Sequence, residues 1–417
     1  MSHSARSLVR PLAWLLLLGY LAFIAEQYHQ GYGGAAAGER PFWTDYTPTY
    51  GAALLARHEA PENLYYPKRM AAAARVAANA AYDYRLTDEQ LDRVGFPPWM
   101  YPPTFIVLVL PLAYLAYLPS LAAWLILTAV PYLVAMRRIL PDGGLLLALA
   151  APPTFYNLMY GQTGFLIAGL IALGLVQLRR RPWLAGVLIG LASVKPHFGV
   201  LIPIALAAGG HWRVFVSASL TVVAMVVGSA LLLGMDAWYG FIGTLLFNLE
   251  GFGAGAYAWH AMTSVLSTVN LTGASLEFAW AVQLLTSGAM VLLVAAVWYR
   301  GRSEPATHGL QCAVLCLAAT LAVPLVYLYD LIMVVPAAAW LLADLRARGG
   351  RSGEYLCLGG ALALILPLYL IASRLGFQLG ALPSAALLGL ALSRLGLCGR
   401  SLLSWRAAPV PPRSGRA

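Results

Sequence analysis

Residues 162–209 have the sequence QTGFLIAGLIALGLVQLRRRPWLAGVLIGLASVKPHFGVLIPIALAAG. The stretch contains two long apolar runs separated by Arg179-Arg180-Arg181, and Lys195-Pro196 interrupts the second run. Apolar runs of about 17–25 residues are long enough to cross a bilayer as helices. Because lipid offers no hydrogen bonds to the backbone, a segment that crosses it must bond internally, as a helix does. The stretch therefore predicts a helical membrane protein.

The remainder of the chain has the same character. Of its 417 residues, 60% are hydrophobic and only 11% are charged, whereas about a quarter are charged in a soluble domain. The alternating pattern of an outer-membrane barrel is absent from the sequence. We expect an all-α, polytopic transmembrane bundle of about 12 spans that forms a single domain over residues 1–417. The predicted spans are 11–27, 118–136, 143–159, 162–178, 183–195, 197–209, 214–235, 277–299, 308–326, 330–345, 354–374 and 380–398.

Basic residues occur in short clusters between the apolar runs, which is the distribution of the positive-inside rule. The clusters are Arg137-Arg138, Arg179-Arg180-Arg181, Arg300 with Arg302, Arg346 with Arg348 and Arg351, and Arg400 onward. The arginines in these loops account for the net charge of +10, so nucleic-acid binding is not expected. With the N-terminus inside, every cluster is cytoplasmic. This predicts a multi-pass protein of the inner (plasma) membrane with both termini in the cytoplasm and a basic tail at 399–417.

One apolar segment does not fit this alternation as a pair of spans. Residues 101–136 are apolar but broken at Leu118-Pro119, and two crossings there would place the arginine triplet outside. We therefore predict that residues 102–117 are embedded or re-entrant, which is allowed where protein or a cavity covers them. The short runs at 183–195 and 197–209 are expected to form a tight pair with its corner at Lys195-Pro196.

Two polar stretches are predicted to lie outside the membrane. Residues 28–100 hold eight of the 17 acidic residues and include an Ala-rich segment at 71–81 that predicts a short helix. Residues 236–276 form a second external loop rich in glycine and aromatic residues. The basic start followed by the apolar run at 11–27 is expected to be an uncleaved first helix.

Few ionisable or polar residues lie near the membrane, and such residues are usually functional because they are costly there. Asp45 stands among aromatic residues after the first helix, where partial desolvation would suit a general base. An aspartate that caps the following helix fits the same position. Gln162 could hydrogen-bond a hydroxyl or phosphate, or be a bystander beside the turn-forming Gly161. Tyr101 with two prolines after it predicts an interfacial helix start.

Lys195 needs an anion if it is submerged. A bound phosphate, an internal salt bridge and snorkelling to the interface all remain open. His260, Asp330 and Arg374 are weaker candidates, because a lone histidine or a capping aspartate is usually structural.

The sequence contains no metal-binding motif, no phosphate-binding glycine loop and no serine-hydrolase motif. Its cysteines lie in or beside apolar stretches without a C-x-x-C pair, which is typical of helix packing. They are Cys312, Cys316, Cys357 and Cys398. No cofactor is expected, although a divalent cation that helps a phosphate to leave stays open.

The order of these segments resembles glycosyltransferase family 87, multi-spanning GT-C-type enzymes that use polyprenyl-phosphate sugars. The resemblance covers about residues 10–340. It rests on Asp45 with Tyr46 and Tyr50, Leu64-Tyr65, Tyr101-Pro102-Pro103, Leu110-Pro111-Leu112, Gly161-Gln162, Ala185-Gly186, Gly190-Leu191-Ala192, Lys195-Pro196 and His211-Trp212-Arg213.

The resemblance implies a GT-C-like fold and inverting transfer of a hexose from a polyprenyl-phosphate sugar to a lipid or glycan acceptor outside the cytoplasm. Asp45 would be the general base, and Lys195 would neutralise the leaving phosphate. The other substrate-binding or phosphate-binding residues that it implies are Tyr46, Tyr50, Tyr101, Gln162, His197, His260 and Asp330. Mannose is the default sugar, and an arabinofuranosyl donor is the alternative.

The chain departs from the family pattern at three places. Many members carry Asn-Gln-Ser where this chain has the sequence WHAMTS at 259–264. Members that act on mannolipids have a His-rich late motif, and here Tyr327-Leu328-Tyr329-Asp330 stands instead. Gln162 is followed by Thr163-Gly164 rather than by Val-Asn. These differences leave the sugar and the acceptor open.

Two other classes of function compete with the transferase. A transporter or lipid flippase should show paired interrupted helices in two related halves, and only one such pair, at 183–209, is visible. A structural subunit would leave Asp45, Gln162 and Lys195 far apart in the fold.

Overall fold

The computed structural model describes residues 3–33, 44–81, 87, 89, 99–253 and 258–397. Within these ranges the chain is all-helical, as predicted, and its sole β-type pairing is an isolated antiparallel bridge between Met262 and Tyr327. The predicted basic tail at 399–417 lies outside the described residues.

The α-helices of the described residues are numbered in chain order. They are α1 (His3–Gly33), α2 (Tyr46–His58), α3 (Pro67–Ala81), α4 (Pro103–Val109), α5 (Tyr117–Ile139), α6 (Gly144–Ala150), α7 (Pro152–Tyr160), α8 (Gly164–Gln177), α9 (Pro182–Leu191), α10 (Ile202–Gly209), α11 (Trp212–Leu233), α12 (Met235–Gly253), α13 (Val265–Asn270), α14 (Leu276–Arg300), α15 (His308–Ala322), α16 (Val334–Arg348), α17 (Ser352–Leu364), α18 (Leu368–Leu375) and α19 (Ala381–Arg394).

Short 3-10 helices connect several of these elements. They are Pro61–Tyr65, Leu110–Tyr114, Ala192–Val194, Pro196–Gly199, Trp259–Ala261, Gly301–Ser303, Pro305–Thr307 and Leu328–Met333.

Five helical segments in the described residues are long and apolar enough to cross a membrane. They are Tyr117–Ile139, Trp212–Leu233, Leu276–Ser303, Pro305–Ala322 and Leu328–Arg348. A sixth is added if α17 and α18 together make one span, although they bend by 59°. Of six shorter apolar helices, five coincide with other predicted crossings, and the sixth, Pro103–Tyr114, lies in the segment predicted to be embedded or re-entrant, so about 12 spans remains a prediction. The chain is thus a helical membrane protein, with the exact number of crossings set by how the shorter helices enter the bilayer.

Proline divides three of the predicted apolar segments. Residues 143–159 form two helices because Pro152 begins α7, and 354–374 bends just before α18 at Pro367. Proline lacks a backbone N–H and its ring clashes with the preceding turn. Residues 102–117 form α4 and a 3-10 turn, and at about 1.5 Å per residue neither is long enough to cross the bilayer.

Both predicted external stretches contain more helix than the sequence indicated. The helix expected over 71–81 is present within α3, which starts earlier because Pro67 suits the first helical position. The second stretch, 236–276, was predicted as a loop, but it contains α12 and α13.

The central helices of the bundle are far more buried than the peripheral ones. In the most apolar window of each span, 67% of residues are buried in α15 and 78% in the span that contains α16. The corresponding values for α11 and α14 are 11% and 17%. The exposed side chains of α11 and α14 are therefore the ones available to face lipid, while α15 and α16 form the centre of the bundle.

Helix α8 packs against α5 at a glycine. A Cβ atom on Gly169 would collide with the backbone of Tyr132 and would lie 2.8 Å from the carbonyl carbon of Pro131. Small residues allow helices in a bilayer to approach closely and gain van der Waals contact. By contrast, a Cβ on Gly288 of α14 would meet open space.

We expect Gly169→Ala to destabilise the protein by about 1–3 kcal/mol, because backbone rather than a flexible side chain must move. Gly288→Ala is the matched control and should be neutral or slightly stabilising, since alanine favours helix more than glycine does. Thermal unfolding of the purified protein in one detergent measures both. Equal effects of the two substitutions would contradict the described α5–α8 contact.

Candidate active site

Asp45 lies directly before α2, outside the membrane-spanning segments. Its side chain makes no capping hydrogen bond to α2. Instead its Oδ2 accepts a hydrogen bond of 2.8 Å from Gln162 Nε2. The carboxyl group is surrounded by protein but remains partly exposed. The sequence left two roles open for Asp45, a general base and a helix cap. The side chain does not cap α2.

Buried tyrosines fix the backbone on either side of Asp45. The Tyr117 hydroxyl lies 2.9 Å from Thr44 Oγ1 and 2.7 Å from Thr47 Oγ1. The hydroxyl of Tyr46 pairs with Ser120 Oγ at 2.5 Å, and the hydroxyl of Tyr50 donates to the Leu115 carbonyl at 2.8 Å.

Tyr46 and Tyr50 therefore differ from what the family resemblance implied. Their side chains are 0% and 5% exposed, and both hydroxyls bond to other protein groups. The structure does not bring them into the site as substrate-binding groups. They lie on the face of α2 that packs against α5 and so hold the start of α2, next to Asp45, in place.

Gln162 lies in the turn between α7 and α8. Gly161 ends α7 with φ of +65°, and a Cβ there would lie 2.7 Å from Tyr46 Cβ. Trp124 Nε1 donates to the Gly161 carbonyl at 2.9 Å. Glycine is thus required both for the turn and for its close approach to α2, which brings Gln162 to Asp45.

The carboxamide of Gln162 is oriented by its neighbours. Its Oε1 accepts from the Thr163 backbone N–H at 3.2 Å and from the Tyr101 hydroxyl at 3.3 Å. These donors leave Nε2 to point at Asp45. Tyr101 in turn packs on Phe105, with ring centroids 4.3 Å apart. Tyr101, Gln162 and Asp45 consequently form one hydrogen-bonded chain.

Lys195 occupies the corner between two 3-10 turns and is 7% exposed. Its Nζ lies 2.5 Å from Asp330 Oδ1, and the Tyr327 backbone N–H donates to Asp330 Oδ2 at 3.1 Å. Both carboxylate oxygens of Asp330 are thus bonded within the protein. Among the three possibilities open from the sequence, the observed one is an internal salt bridge.

The turn that carries Gln162 lies against the segment that carries Asp330. A Cβ on Gly164 would be 2.9 Å from the Tyr329 carbonyl oxygen, and Asn157 Nδ2 donates to that same oxygen at 2.7 Å. The Lys195 ammonium lies 5.1 Å from the Tyr329 ring centroid. The two carboxylates and the ammonium therefore belong to one group of neighbouring polar side chains, which is called the recess below, and the charges of Lys195 and Asp330 both act on Asp45.

The sequence model of glycosyltransferase family 87 matches residues 99–326, which is more than half of the chain. The chain belongs to glycosyltransferase family 87. Comparisons with curated proteins and with solved structures returned no match. The matched region of this membrane glycosyltransferase includes Tyr101, Gln162 and Lys195, whereas Asp45 precedes it and Asp330 follows it.

Three further candidates in this family 87 protein differ in their relation to the recess. His197 is beside Lys195 with its ring 4.6 Å from that of Phe198, and its buried Nε2 has no hydrogen-bond partner. His260 is exposed, and no described contact joins its side chain to Asp45, Gln162 or Lys195. Arg374, at the end of α18, is likewise exposed. The structure thus keeps His197 close to the site and leaves His260 and Arg374 outside it.

Sequence reasoning missed two polar residues that support the site. Asn157 bridges α7 to Tyr329, and its signal was a lone amide in an apolar run. Gln378 donates from Nε2 to the carbonyls of His260 and Met262, which fixes the 259–262 segment. Its signal was weaker, because it lies in the short linker between α18 and α19, away from the residues of the site along the chain.

Burial raises the pKa of the Asp45 carboxyl group to about 6. The Gln162 hydrogen bond and the Lys195 charge act in the opposite direction, while the Asp330 charge raises the pKa further. Desolvation is the largest of these influences. A carboxyl group with this pKa is ionised at neutral pH yet more basic than an ordinary aspartate. No cluster of three or more metal-ligating side chains occurs among the described residues of the transferase.

The Lys195–Asp330 pair allows a test of its structural role. We expect Lys195→Met to destabilise the protein by about 3–5 kcal/mol, because it leaves a buried carboxylate without its partner. Replacing both residues, Lys195→Met with Asp330→Leu, should restore most of that stability, since no unpaired charge remains. Thermal unfolding in detergent measures the difference. A double variant no more stable than the single one would show that the pair is not buried as described.

Proposed function

We propose that this glycosyltransferase is an inverting enzyme that transfers a hexose from a polyprenyl-phosphate sugar to a lipid or glycan acceptor. Mannose is the default sugar, and transfer takes place on the extracytoplasmic side. The observation that carries the proposal is the partly exposed Asp45 carboxylate, bonded to Gln162 and facing the same recess as Lys195. A base and a cation that lie close to one another suit attack by a hydroxyl and departure of an anion.

One of the two carboxylate oxygens of Asp45 is free to accept the proton. Gln162 donates to Oδ2, and the described residues provide no hydrogen bond to Oδ1. Oδ1 takes the proton of the acceptor hydroxyl as the acceptor oxygen attacks the anomeric carbon. The bond from that carbon to the phosphate oxygen breaks, and polyprenyl phosphate leaves with the electron pair. Attack opposite the leaving group inverts the configuration.

Lys195 is the cation that receives the leaving phosphate. An ammonium has three N–H donors, and the Asp330 contact uses one of them. The other two are available to phosphate oxygens, where charge develops in the transition state. Asp330 then acts as the positioning residue for Lys195 rather than as a phosphate-binding group, because its carboxylate would repel a phosphate.

The arrangement of basic loops supports a cytoplasmic location for the face away from this recess. Arg302 donates to the carbonyls of Ala207 and Ala208, and Arg346 donates to the Asp142 carbonyl. Basic residues thus connect loops that are far apart in the sequence. We propose an inner-membrane protein with both termini in the cytoplasm, in line with the positive-inside rule.

Asp45→Asn tests the general base. The substitution keeps the shape and the Gln162 contact but cannot accept the proton, so sugar transfer should fall by about 10²–10⁴-fold. Radiolabelled sugar transfer by membranes that contain equal amounts of protein measures the loss. Asp142→Asn, at the exposed turn before α6, is the matched control and should transfer normally. Full activity of Asp45→Asn would remove this residue from the mechanism.

The raised pKa of Asp45 predicts a pH profile. The carboxylate must be ionised to act as a base, so transfer should rise with pH through about 6 and level off above it. At one pH unit below that pKa, roughly a tenth of the enzyme carries the ionised form. Initial rates across this range, with folding checked by gel filtration at each pH, provide the measurement. A rate that is constant from acidic to neutral pH would contradict the assignment.

A further inference from the structure

A cavity lies beside the recess and has no role in the reaction described so far. It encloses about 710 Å³ between the 3-10 helix Pro61–Tyr65 and α12. Small-molecule sites typically occupy roughly 300–1,000 Å³, so a sugar ring with its neighbours fits. The side chains that decide its chemistry are Glu62, Tyr65, Tyr66, Trp99, Asp236 and Tyr239.

Two glycines of α12 shape this cavity. A Cβ on Gly240 would lie 2.9 Å from the Tyr65 side chain, so the two walls touch there. One turn later, a Cβ on Gly243 would meet open space. The cavity therefore opens where the helix leaves Tyr65, and Gly243 lies at a point where a larger side chain would fill it.

The walls combine aromatic faces with carboxylates. Tyr66 and Tyr239 are 59% and 64% exposed, which leaves their rings available for stacking. Glu62 and Asp236 add oxygens that accept hydrogen bonds from hydroxyl groups. A ligand with apolar C–H faces and many hydroxyl groups, such as a sugar ring, matches these walls.

Charge distinguishes a sugar from a phosphate in this cavity. Its described lining includes two carboxylates and no lysine, arginine or histidine. A phosphate would be repelled, and the cation suited to it is Lys195 in the other recess. The ligand of this cavity is therefore a neutral carbohydrate and not the phosphate of the donor.

The cavity adjoins the candidate active site through shared residues. The Tyr65 hydroxyl donates to the Tyr101 carbonyl at 3.0 Å, and the rings of Trp99 and Tyr101 lie 5.2 Å apart. Tyr101 then bonds to Gln162, which bonds to Asp45. A glycan held in the cavity is thus one aromatic layer away from the proposed base.

We propose that this cavity is a subsite for a neutral sugar residue of the acceptor glycan. That the bound sugar belongs to the acceptor rests on the proposed transferase function. Binding of a sugar in the cavity does not itself require catalysis. Tyrosine and tryptophan also form belts at membrane interfaces, and a belt alone predicts no carbohydrate binding.

Saturation-transfer NMR with neutral methyl glycosides of mannose, glucose and arabinofuranose tests the subsite in nanodiscs free of sugar-based detergent. The wild-type protein should transfer saturation to the ring protons of at least one glycoside. Gly243→Trp, which fills the cavity, and Tyr239→Ala, which removes a stacking face, should each bind about tenfold more weakly. Inorganic phosphate in excess should not reduce the signal.

Gly228→Trp is the matched control, because Gly228 lies on α11 and a Cβ there also meets open space. It should bind the glycoside as the wild type does. Wild-type binding by both Gly243→Trp and Tyr239→Ala, or no glycoside binding by folded wild-type protein, would overturn the subsite.

The two proposals fail in different ways. If Asp45→Asn transfers sugar normally while Gly243→Trp loses glycoside binding, the base assignment falls and the subsite stands. If Asp45→Asn is inactive while Gly243→Trp binds glycoside and transfers sugar like the wild type, the subsite falls and the transferase mechanism stands.

Discussion

A buried ammonium in an apolar bundle must have a partner, and the ion pair between Lys195 and Asp330 meets that requirement. The pair joins the corner between α9 and α10 to the 3-10 helix that begins the span containing α16. Because one carboxylate oxygen also accepts the Tyr327 N–H, Asp330 cannot turn away without losing two bonds. The position of Lys195 in the recess, and hence the proposed phosphate contact, depends on this constraint.

The other half of the recess is fixed by packing rather than by charge. Tyr46 and Tyr50 bury their rings against Tyr117, with centroids 5.8 and 5.3 Å away. Their hydroxyls are bonded inside the protein, so α2 has little freedom to rotate on α5. Asp45 sits at the end of this rigid helix with one bond to a glutamine whose other atoms are also held. Asp45 is thus held by a rigid helix and is still partly exposed, and a general base needs both a fixed position and access to its substrate.

In the proposed transfer, the recess and the neighbouring cavity have different roles because only the recess contains a cation. The recess pairs Lys195 with Asp330, whereas the described lining of the cavity has carboxylates and exposed aromatic rings but no basic side chain. Tyr101 lies between them, with its carbonyl bonded to Tyr65 and its hydroxyl bonded to Gln162. Under the proposed mechanism, the carboxylates of the cavity would repel a donor phosphate, and the aromatic rings that could stack on an acceptor sugar lie in the cavity.

The class of fold and the short set of candidate residues could be predicted from the sequence, because both are local properties. The length of an apolar run and the position of an arginine cluster are visible along the chain, and polar residues in such a chain are few enough to be weighed singly. Asp45, Gln162 and Lys195 were found in this way. The pairing of these residues with one another could not be predicted, because Lys195 and Asp330 are 135 positions apart and Asp45 and Gln162 are 117 apart. Only tertiary packing decided that the Asp45 side chain turns to Gln162 instead of capping α2, that Tyr46 and Tyr50 point inward, and that α12 encloses a cavity with Tyr65. The direction of a side chain depends on which distant helix lies against it, and no local pattern encodes that choice.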